Sequence, residues 1–280
     1  MSIRRLVVRT AILFIVVYLA AIAFIASQET RLVFAAGRPL GEARPAQPFE
    51  QVELAGTASP QFAWVMRHPA APAGPWVLYL HGNAANVSSR VNILRYESLR
   101  ALGLNVLAPE YRGYGGLEGT PSEASLTQDA LTGYTYLLET LDGPPERIVI
   151  FGWSLGSGVA VNVASRVPAS AVVLEGAHSS LVDVGSGQYP WVPVRLLMRN
   201  PFDSVLKVPS IAAPMLFIHS PEDAVIPIAH GRRLYEAVRA PREFVEVRGG
   251  HINAASVDRV VFFGAIERFL AKYGLLLPDH

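Results

Sequence analysis

The feature that most constrains the fold is a series of short, continuous apolar runs separated by longer amphipathic segments. The runs are rich in Val, Ile and Leu and occupy residues 76–80, 104–109, 147–151, 171–175, 214–219 and 243–247. The helix-compatible segments cover residues 86–102, 122–140, 156–166, 228–240 and 256–273. Strands that are apolar on both faces are typical of parallel sheets covered by helices. We therefore predict an α/β fold, a mostly parallel, doubly wound sheet with flanking helices, over residues 50–275.

The first 30 residues have a different character. Three arginines within the first nine residues are followed by an apolar stretch of about 20 residues, which is long enough to cross a bilayer. We predict that residues 1–30 form a single-pass transmembrane anchor, or uncleaved signal. A cleaved signal peptide is the alternative, but its apolar core is about 7–15 residues long. The early arginines favour a folded domain on the non-cytoplasmic side, periplasmic or extracellular. Residues 31–49, rich in Pro, Gly and Ala, are predicted to be the linker.

Composition excludes several kinds of chemistry. The chain has 280 residues, a formal net charge of +1 and no cysteine. Disulfides, thiol nucleophiles and cysteine metal sites are therefore excluded, and the charge gives no reason to expect a nucleic-acid partner. The histidines lack the spacing of metal-binding motifs, and no phosphate-binding glycine loop occurs. We expect no metal and no cofactor.

A glycine-flanked serine follows the run at 147–151. In doubly wound sheets, ligands bind beyond the carboxyl ends of the strands, so residues after each run are candidates for chemistry. Here the chain reads Gly152-Trp153-Ser154-Leu155-Gly156 and enters a helix-compatible segment at once. A sharp strand-to-helix turn lifts such a serine above the sheet, and the glycines avoid clashes with strand and helix. We predict Ser154 to be a nucleophile.

A serine nucleophile needs a base, and the base needs a carboxylate that orients it. His251 follows the last predicted strand after two glycines, so its loop could bring the ring to the serine. His178, which also follows a strand, is the alternative base. Asp223, four residues beyond its strand, is the predicted acid, with Glu222 and Glu175 as alternatives. The chain order of nucleophile, acid and base is that of hydrolase folds.

Attack on a carbonyl carbon also needs donors for the developing oxyanion. One predicted donor is the backbone N–H of Leu155, at the start of the helix after the nucleophile. The other comes from the loop after residues 76–80, where the backbone N–H of Asn83 is favoured and that of Ala84 is the alternative. His81, in the same loop, is predicted to shape the turn through hydrogen bonds.

Several motifs resemble those of the α/β-hydrolase-fold serine hydrolases. The resemblance covers residues 50–275 and is greatest to an N-terminally anchored subgroup that includes acyl-protein thioesterases and monoacylglycerol-lipase-like or serine-aminopeptidase-like members. The motifs are, in chain order, YLHGNAAN, YRGYGGLEGTPSE, GWSLGSG, YPWVPVRLLMRNPFDS and HSPEDAVIP. The resemblance implies the α/β-hydrolase fold with a short lid insertion. It also implies a catalytic triad and an oxyanion hole, which fall here on Ser154, Asp223 and His251 and on Asn83 and Leu155.

Three positions depart from the pattern of this subgroup. Glu110 stands where the subgroup usually has Asp, and Ser220 where it usually has Gly. Neither belongs to the predicted triad, so both bear on loop packing. His178 occupies a position that is usually apolar or aromatic and bears on the lining of the pocket.

The predicted lid, residues 177–212, carries apolar side chains that suit an acyl chain or another apolar substrate. The alternative is that they only pack the lid onto the sheet. The candidate substrate contacts are Trp153, His178, Tyr189 and Trp191. We expect a membrane-anchored serine hydrolase of ester or thioester bonds, acting on a small-molecule or lipid-like acyl substrate. The alternatives are a peptidase-like amide hydrolase and a non-catalytic binding protein of the same fold.

Overall fold

A computed structural model describes residues 3–54 and 60–276 of the chain. Residues 1–2 of the predicted anchor and 55–59 of the predicted domain lie outside the described residues. The strands are β1 (Phe49–Glu53), β2 (Phe62–Met66), β3 (Trp76–Leu80), β4 (Asn105–Pro109), β5 (Ile148–Trp153), β6 (Ala171–Glu175), β7 (Met215–His219) and β8 (Arg242–Glu246). The α-helices are α1 (Ile3–Ser27), α2 (Glu29–Val33), α3 (Arg90–Ala101), α4 (Glu123–Glu139), α5 (Leu155–Ala164), α6 (Leu181–Gln188), α7 (Val194–Leu197), α8 (Ser204–Lys207), α9 (Ile228–Ala237), α10 (Ala254–Val257) and α11 (Arg259–Lys272).

In the described part of the chain, eight strands form one sheet with the order β1-β2-β4-β3-β5-β6-β7-β8. β1 pairs antiparallel with β2, and β2 pairs antiparallel with β4. The remaining pairs, from β4 across to β8, are parallel. Every side chain of the strands from β2 to β7 is buried, which explains why their sequences are continuous apolar runs. The predicted mostly parallel α/β sheet is confirmed.

Helices cover both faces of the sheet. On one face lie α4, α5 and α9, whose residues Leu126, Val159 and Leu234 belong to one apolar cluster. On the other face lie α3 and α11, whose residues Leu99 and Phe262 belong to a second cluster. Because β3 to β8 run in one direction, the loops that follow them meet at one edge of the sheet.

The N-terminal segment consists of a long helix and an extended stretch that is attached to the domain. α1 is 25 residues long and is apolar enough to cross a membrane by length and composition, a property that a signal sequence shares. Its role as an anchor therefore stays a prediction.

The predicted linker is fixed along the domain. Phe34 is buried. The backbone N–H of Ala35 donates to Asn83 Oδ1 over 2.8 Å, and that of Gly37 donates to the carbonyl oxygen of Gly113 over 2.7 Å. These contacts attach the start of the linker to the loops after β3 and β4, so this part is not a free spacer.

Candidate active site

Ser154 alone connects the end of β5 to the start of α5. Its backbone φ is +55°, a left-handed conformation that costs a residue other than glycine about 1–3 kcal/mol. A Cβ atom at Gly152 would overlap the carbonyl oxygen of Gly156, and one at Gly156 would overlap that of Leu80. Only glycine fits at both positions, so the two glycines permit the sharp turn on which the serine stands.

The hydroxyl group of Ser154 meets the ring of His251. Ser154 Oγ and His251 Nε2 are 2.7 Å apart, which is a hydrogen-bond distance. His251 lies in the loop after β8, where Gly249 has a φ of +98°. In the same loop the backbone N–H of Gly250 donates to Asn253 Oδ1 over 2.8 Å. The loop therefore brings the imidazole from the last strand to the serine turn.

The other nitrogen of the His251 ring meets Asp223. His251 Nδ1 and Asp223 Oδ2 are 2.7 Å apart. Asp223 Oδ1 accepts hydrogen bonds from the backbone N–H groups of Val225 and Ile226, over 2.9 and 2.8 Å. The turn after β7 thus fixes one carboxylate oxygen and leaves the other for the histidine. The three predicted side chains form one hydrogen-bonded chain.

The carboxyl group of Asp223 is held in its ionised form. Burial by itself raises the pKa of Asp223, but the imidazoles of His219 and His251, together with a backbone N–H, outweigh burial and hold that pKa well below its usual value. His219 Nε2 lies 3.6 Å from Asp223 Oδ2. Because a carboxylate faces Nδ1 of His251, the ring proton is kept on Nδ1, and Nε2 can accept the proton of the serine.

Of the two other carboxylates considered for the acid role, Glu175 is engaged elsewhere and Glu222 is exposed. Glu175 accepts hydrogen bonds from the buried guanidinium of Arg95, over 2.8 Å from Nε and 2.5 Å from Nη2. Glu222 is exposed, and its backbone N–H donates to Ser220 Oγ over 3.0 Å. The serine that departs from the subgroup pattern therefore helps to shape the turn that carries the acid.

We expect Glu175→Gln to lower the free energy of unfolding by about 3–5 kcal/mol, because it leaves the guanidinium of Arg95 buried without its counter-charge. The two side chains are only 4% and 1% exposed. A matched control is Glu246→Gln, which breaks an ion pair with Arg232 whose side chains are 47% and 57% exposed. The control should cost less than about 1 kcal/mol. Urea denaturation measures both losses, and equal losses would contradict the prediction.

Trp153, the residue before Ser154, is buried beside Arg95. It is 3% exposed, and the guanidinium carbon of Arg95 lies 4.4 Å from its ring centre. Its Nε1 donates to the carbonyl oxygen of His251 over 3.4 Å. This side chain therefore packs on a buried cation and supports the histidine loop, and its contact with substrate stays a prediction.

His178 packs against α5. Its Nδ1 lies 3.4 Å from Ser157 Oγ, and its ring stands edge-on to Phe202. A Cβ atom at Gly158 would lie 2.8 Å from His178 Nε2, so glycine makes room for the ring. Burial, assisted by the charge of His230, lowers the pKa of His178 to about 3. His178 is therefore a neutral packing residue, and His251 is the histidine that meets Ser154. The contact of His178 with substrate stays a prediction.

The side chain of Asn83 is engaged in a local network. Its Oδ1 accepts from the backbone N–H of Ala35 over 2.8 Å and from the hydroxyl of Tyr114 over 2.8 Å. The same oxygen accepts from the backbone N–H of Ala84 over 3.0 Å. Asn83 Nδ2 donates to the carbonyl oxygen of Val33 over 2.8 Å. Because the Ala84 N–H is already used, the backbone N–H of Asn83 is the better candidate for the oxyanion donor.

The two candidate oxyanion donors lie on chain segments that meet at the serine. Leu155 is the first residue of α5, where backbone N–H groups have no acceptor within the helix. A Cβ atom at Gly82 would lie 3.1 Å from Ser154 Cβ. The loop after β3, which carries Asn83, therefore passes directly beside the turn of Ser154.

A buried pair of His81 and Glu110 supports this loop. His81 Nε2 and Glu110 Oε1 are 2.8 Å apart. Glu110 Oε2 accepts from the backbone N–H of Val87 over 3.0 Å. A Cβ atom at Gly115 would lie 2.5 Å from this carboxylate, so glycine there leaves room for a side chain longer than the usual Asp. Hydrogen bonding by His81 was predicted from its place in the loop. Its partner Glu110 lies 29 residues away, and nothing in the local sequence pointed to this pair.

Tyr189 and Trp191 lie on the lid segment. They are 53% and 57% exposed, and both line an apolar cavity of about 360 Å³. The hydroxyl of Tyr18, in α1, donates to the carbonyl oxygen of Trp191 over 3.0 Å. The two lid residues predicted to contact substrate therefore lie at a cavity that an apolar ligand could occupy.

The three hydrogen-bonded side chains follow β5, β7 and β8 at the carboxyl edge of the sheet. A serine on a strand-to-helix turn, followed along the chain by an acid and then a histidine, is the arrangement of α/β-hydrolase folds. Within residues 3–54 and 60–276, no group of three or more His, Cys, Asp or Glu side chains is placed to hold a metal ion. The architecture and this turn define the α/β-hydrolase fold, as predicted.

Comparison with known proteins identifies the family. Residues 77–263 match the Alpha/beta hydrolase family. An uncharacterized protein of Mycobacterium tuberculosis is 37% identical over 259 residues, which cover 91% of this chain and 92% of that protein. The chain belongs to the Alpha/beta hydrolase family.

Two further proteins are similar over part or most of the chain. The lysophosphatidylserine lipase ABHD12 of Danio rerio is 32% identical over 180 residues, which cover 58% of this chain and 47% of that protein. The solved structure of the Pyrococcus furiosus esterase Pf2001 has a TM-score of 0.70 at 18% identity, and the match covers 85% of this chain and 97% of the esterase. At this identity the structural likeness shows the shared fold alone.

Proposed function

We propose that the protein is a membrane-anchored serine hydrolase that cleaves carboxylic ester or thioester bonds through an acyl-enzyme on Ser154. The observation that carries the proposal is the chain of two 2.7 Å contacts from Ser154 through His251 to Asp223. A serine hydroxyl is a weak nucleophile until an adjacent base accepts its proton, and this geometry supplies the base and its orienting acid.

The reaction would proceed in two steps. Ser154 Oγ attacks the carbonyl carbon while His251 Nε2 takes the hydroxyl proton, and the backbone N–H groups of Leu155 and Asn83 stabilise the oxyanion. His251 returns the proton to the leaving alcohol or thiol as the tetrahedral intermediate collapses to the acyl-enzyme. Water, deprotonated by the same ring, then attacks the acyl-enzyme. His251 returns that proton to Ser154 Oγ as the acid is released. Asp223 keeps the ring in the required tautomer throughout.

The substrate class and the location of the enzyme are also part of the proposal. The apolar cavity between the lid and the N-terminal segment supports an acyl substrate. The relatives are consistent with this class, since one is named a lysophosphatidylserine lipase and a structural neighbour is named an esterase. The length and apolar character of α1 support a single-pass anchor. The early arginines support a hydrolase domain on the non-cytoplasmic side.

A fluorophosphonate probe tests the mechanism directly. We expect purified full-length protein to gain the mass of one probe molecule, with the adduct on the peptide that contains Ser154. The His251→Ala variant should label much more slowly, because the hydroxyl has lost its base. Absence of an adduct on folded wild-type protein would contradict the proposal and would favour the non-catalytic binding protein. If the adduct forms, the kcat/KM values for an ester, a thioester and an amide with the same acyl group rank the preference of the enzyme for the three bond types.

A further inference from the structure

A cavity of about 360 Å³ lies between the N-terminal segment and the lid. From the N-terminal side its lining includes Ile25, Ala26 and Leu32, and from the lid it includes Val184, Leu197 and Met198. The volume falls in the range of about 300–1,000 Å³ that is usual for ligand pockets. The lid therefore faces the N-terminal segment at this cavity. One wall is supplied by α2 and by the C-terminal end of α1.

The walls of the cavity are hydrogen-bonded to both catalytic loops. On one side, Val33 lines the cavity, and its carbonyl oxygen accepts from Asn83 Nδ2 over 2.8 Å. On the other side, Gln188 lines the cavity, and its Nε2 donates to the carbonyl oxygen of Val225 over 3.1 Å. The backbone N–H of Val225 in turn donates to Asp223 Oδ1 over 2.9 Å. The cavity is thus joined to the loop of the candidate oxyanion donor and to the turn of the candidate acid.

Among the described residues that line the cavity, Glu29 carries the one carboxylate, and it accepts four hydrogen bonds from the lid. Its oxygens accept from the backbone N–H and Nε of Arg199, each over 2.9 Å, and from the backbone N–H and Nδ2 of Asn200, over 3.1 and 3.0 Å. The carboxylate therefore fastens α2 to the lid, and the remaining lining is mostly apolar.

We propose that this cavity binds one acyl chain of a membrane lipid, so that the predicted anchor forms part of the substrate site. The inference rests on the proposed function and adds the source of the substrate. Two observations favour the bilayer as that source. The lining includes residues of α1, and the apolar surface of that helix continues away from the cavity for fourteen residues, from Phe24 back to Ala11. A lipid chain could therefore pass from the membrane to the cavity along one continuous apolar surface.

The first test fills the cavity from the anchor side. Full-length protein in lipid nanodiscs would be assayed with p-nitrophenyl acetate and p-nitrophenyl decanoate. In wild type, kcat/KM should rise about fourfold for each methylene that enters the cavity. Ala26→Trp should lower kcat/KM for the decanoate by about tenfold or more and leave the acetate within about twofold. Ala23→Trp is the matched control, since Ala23 lies one turn earlier in α1, is exposed and is not part of the lining.

The pattern of activities separates the two proposals. Hydrolysis of both esters with no dependence on chain length, or equal loss in Ala26→Trp and Ala23→Trp, would overturn the acyl-chain site and leave the serine hydrolase intact. Hydrolysis of neither ester by folded protein would count against the serine hydrolase.

A second measurement does not depend on turnover. Ser154→Ala protein in nanodiscs would be irradiated with a diazirine-bearing palmitic acid, and the crosslinked peptides would be mapped. We expect crosslinks within residues 25–33 and 181–198, and their loss when Ala26→Trp is added. Crosslinks that persist in the filled variant, or that lie only elsewhere, would overturn the site whatever the activity assay shows.

Discussion

The Ser154→Ala variant is expected to lose ester turnover by about 10⁴-fold or more, since the proposed acyl-enzyme can no longer form. The fold should survive, because the hydroxyl makes one hydrogen bond, to His251, and alanine keeps the backbone of the turn. Thermal unfolding of the variant should therefore stay close to that of wild type. The measurement is kcat with a p-nitrophenyl ester, together with labelling by the fluorophosphonate probe.

A matched control for this variant is available at the other end of the same helix. Ser165 caps α5, and its hydroxyl donates to the carbonyl oxygen of Asn162 over 3.0 Å. Ser165→Ala should keep wild-type turnover and labelling. Full activity in Ser154→Ala would exclude the proposed mechanism, and equal loss in both variants would point to a defect of the helix instead of the nucleophile.

Asp223→Asn is expected to lower kcat by about 10⁴-fold with little change in KM. An amide in this place can hold the His251 ring in the wrong tautomer, and it does not stabilise the imidazolium that forms as the serine attacks. Glu222→Gln is the matched control, because it makes the same chemical change at the exposed neighbouring position. Steady-state kinetics of the two variants decide between the two carboxylates. A larger loss in Glu222→Gln would reverse the assignment.

The same variant tests the ionisation of Asp223. The pKa of this carboxyl group is held below its usual value in the folded protein, so its contribution to stability is present above the unfolded-state pKa of about 3.9 and is lost as the pH falls below it. Asp223→Asn should therefore be less stable than wild type near about pH 7, and the difference should narrow toward about pH 3. Urea denaturation across this range measures it. A difference that widens on acidification would contradict the sign of the shift.

Much of the fold could be predicted because its signals are local. A strand buried on both faces needs a continuous apolar run, and the runs at 76–80 and 171–175 coincide with β3 and β6. The three side chains of the hydrogen-bonded chain were also predictable, since each stands just beyond a strand and the carboxyl ends of parallel strands share one edge. Topology alone therefore brings Ser154, Asp223 and His251 to the same place.

The contacts that sequence analysis missed join residues far apart in the chain. Arg95 and Glu175 are separated by 80 residues, and Glu29 and Arg199 by 170. No spacing rule links such positions, and a buried ion pair depends on how helices and loops pack. The packing of His178 escaped sequence analysis for the same reason, because the room for its ring is made by Gly158 in another element.

The four hydrogen bonds of Glu29 also bear on the proposed site for a membrane lipid. A single residue, Gln28, separates α1 from α2. The carboxylate of Glu29, which binds the lid, therefore follows the end of α1 by two residues. With α1 in a bilayer, this junction and the hydrogen bond from Tyr18 to the lid would together set the position of the serine along the membrane normal. The enzyme would then select its substrates by depth, cleaving ester bonds that lie at one level along the membrane normal and sparing the same chemical bond a few ångströms deeper.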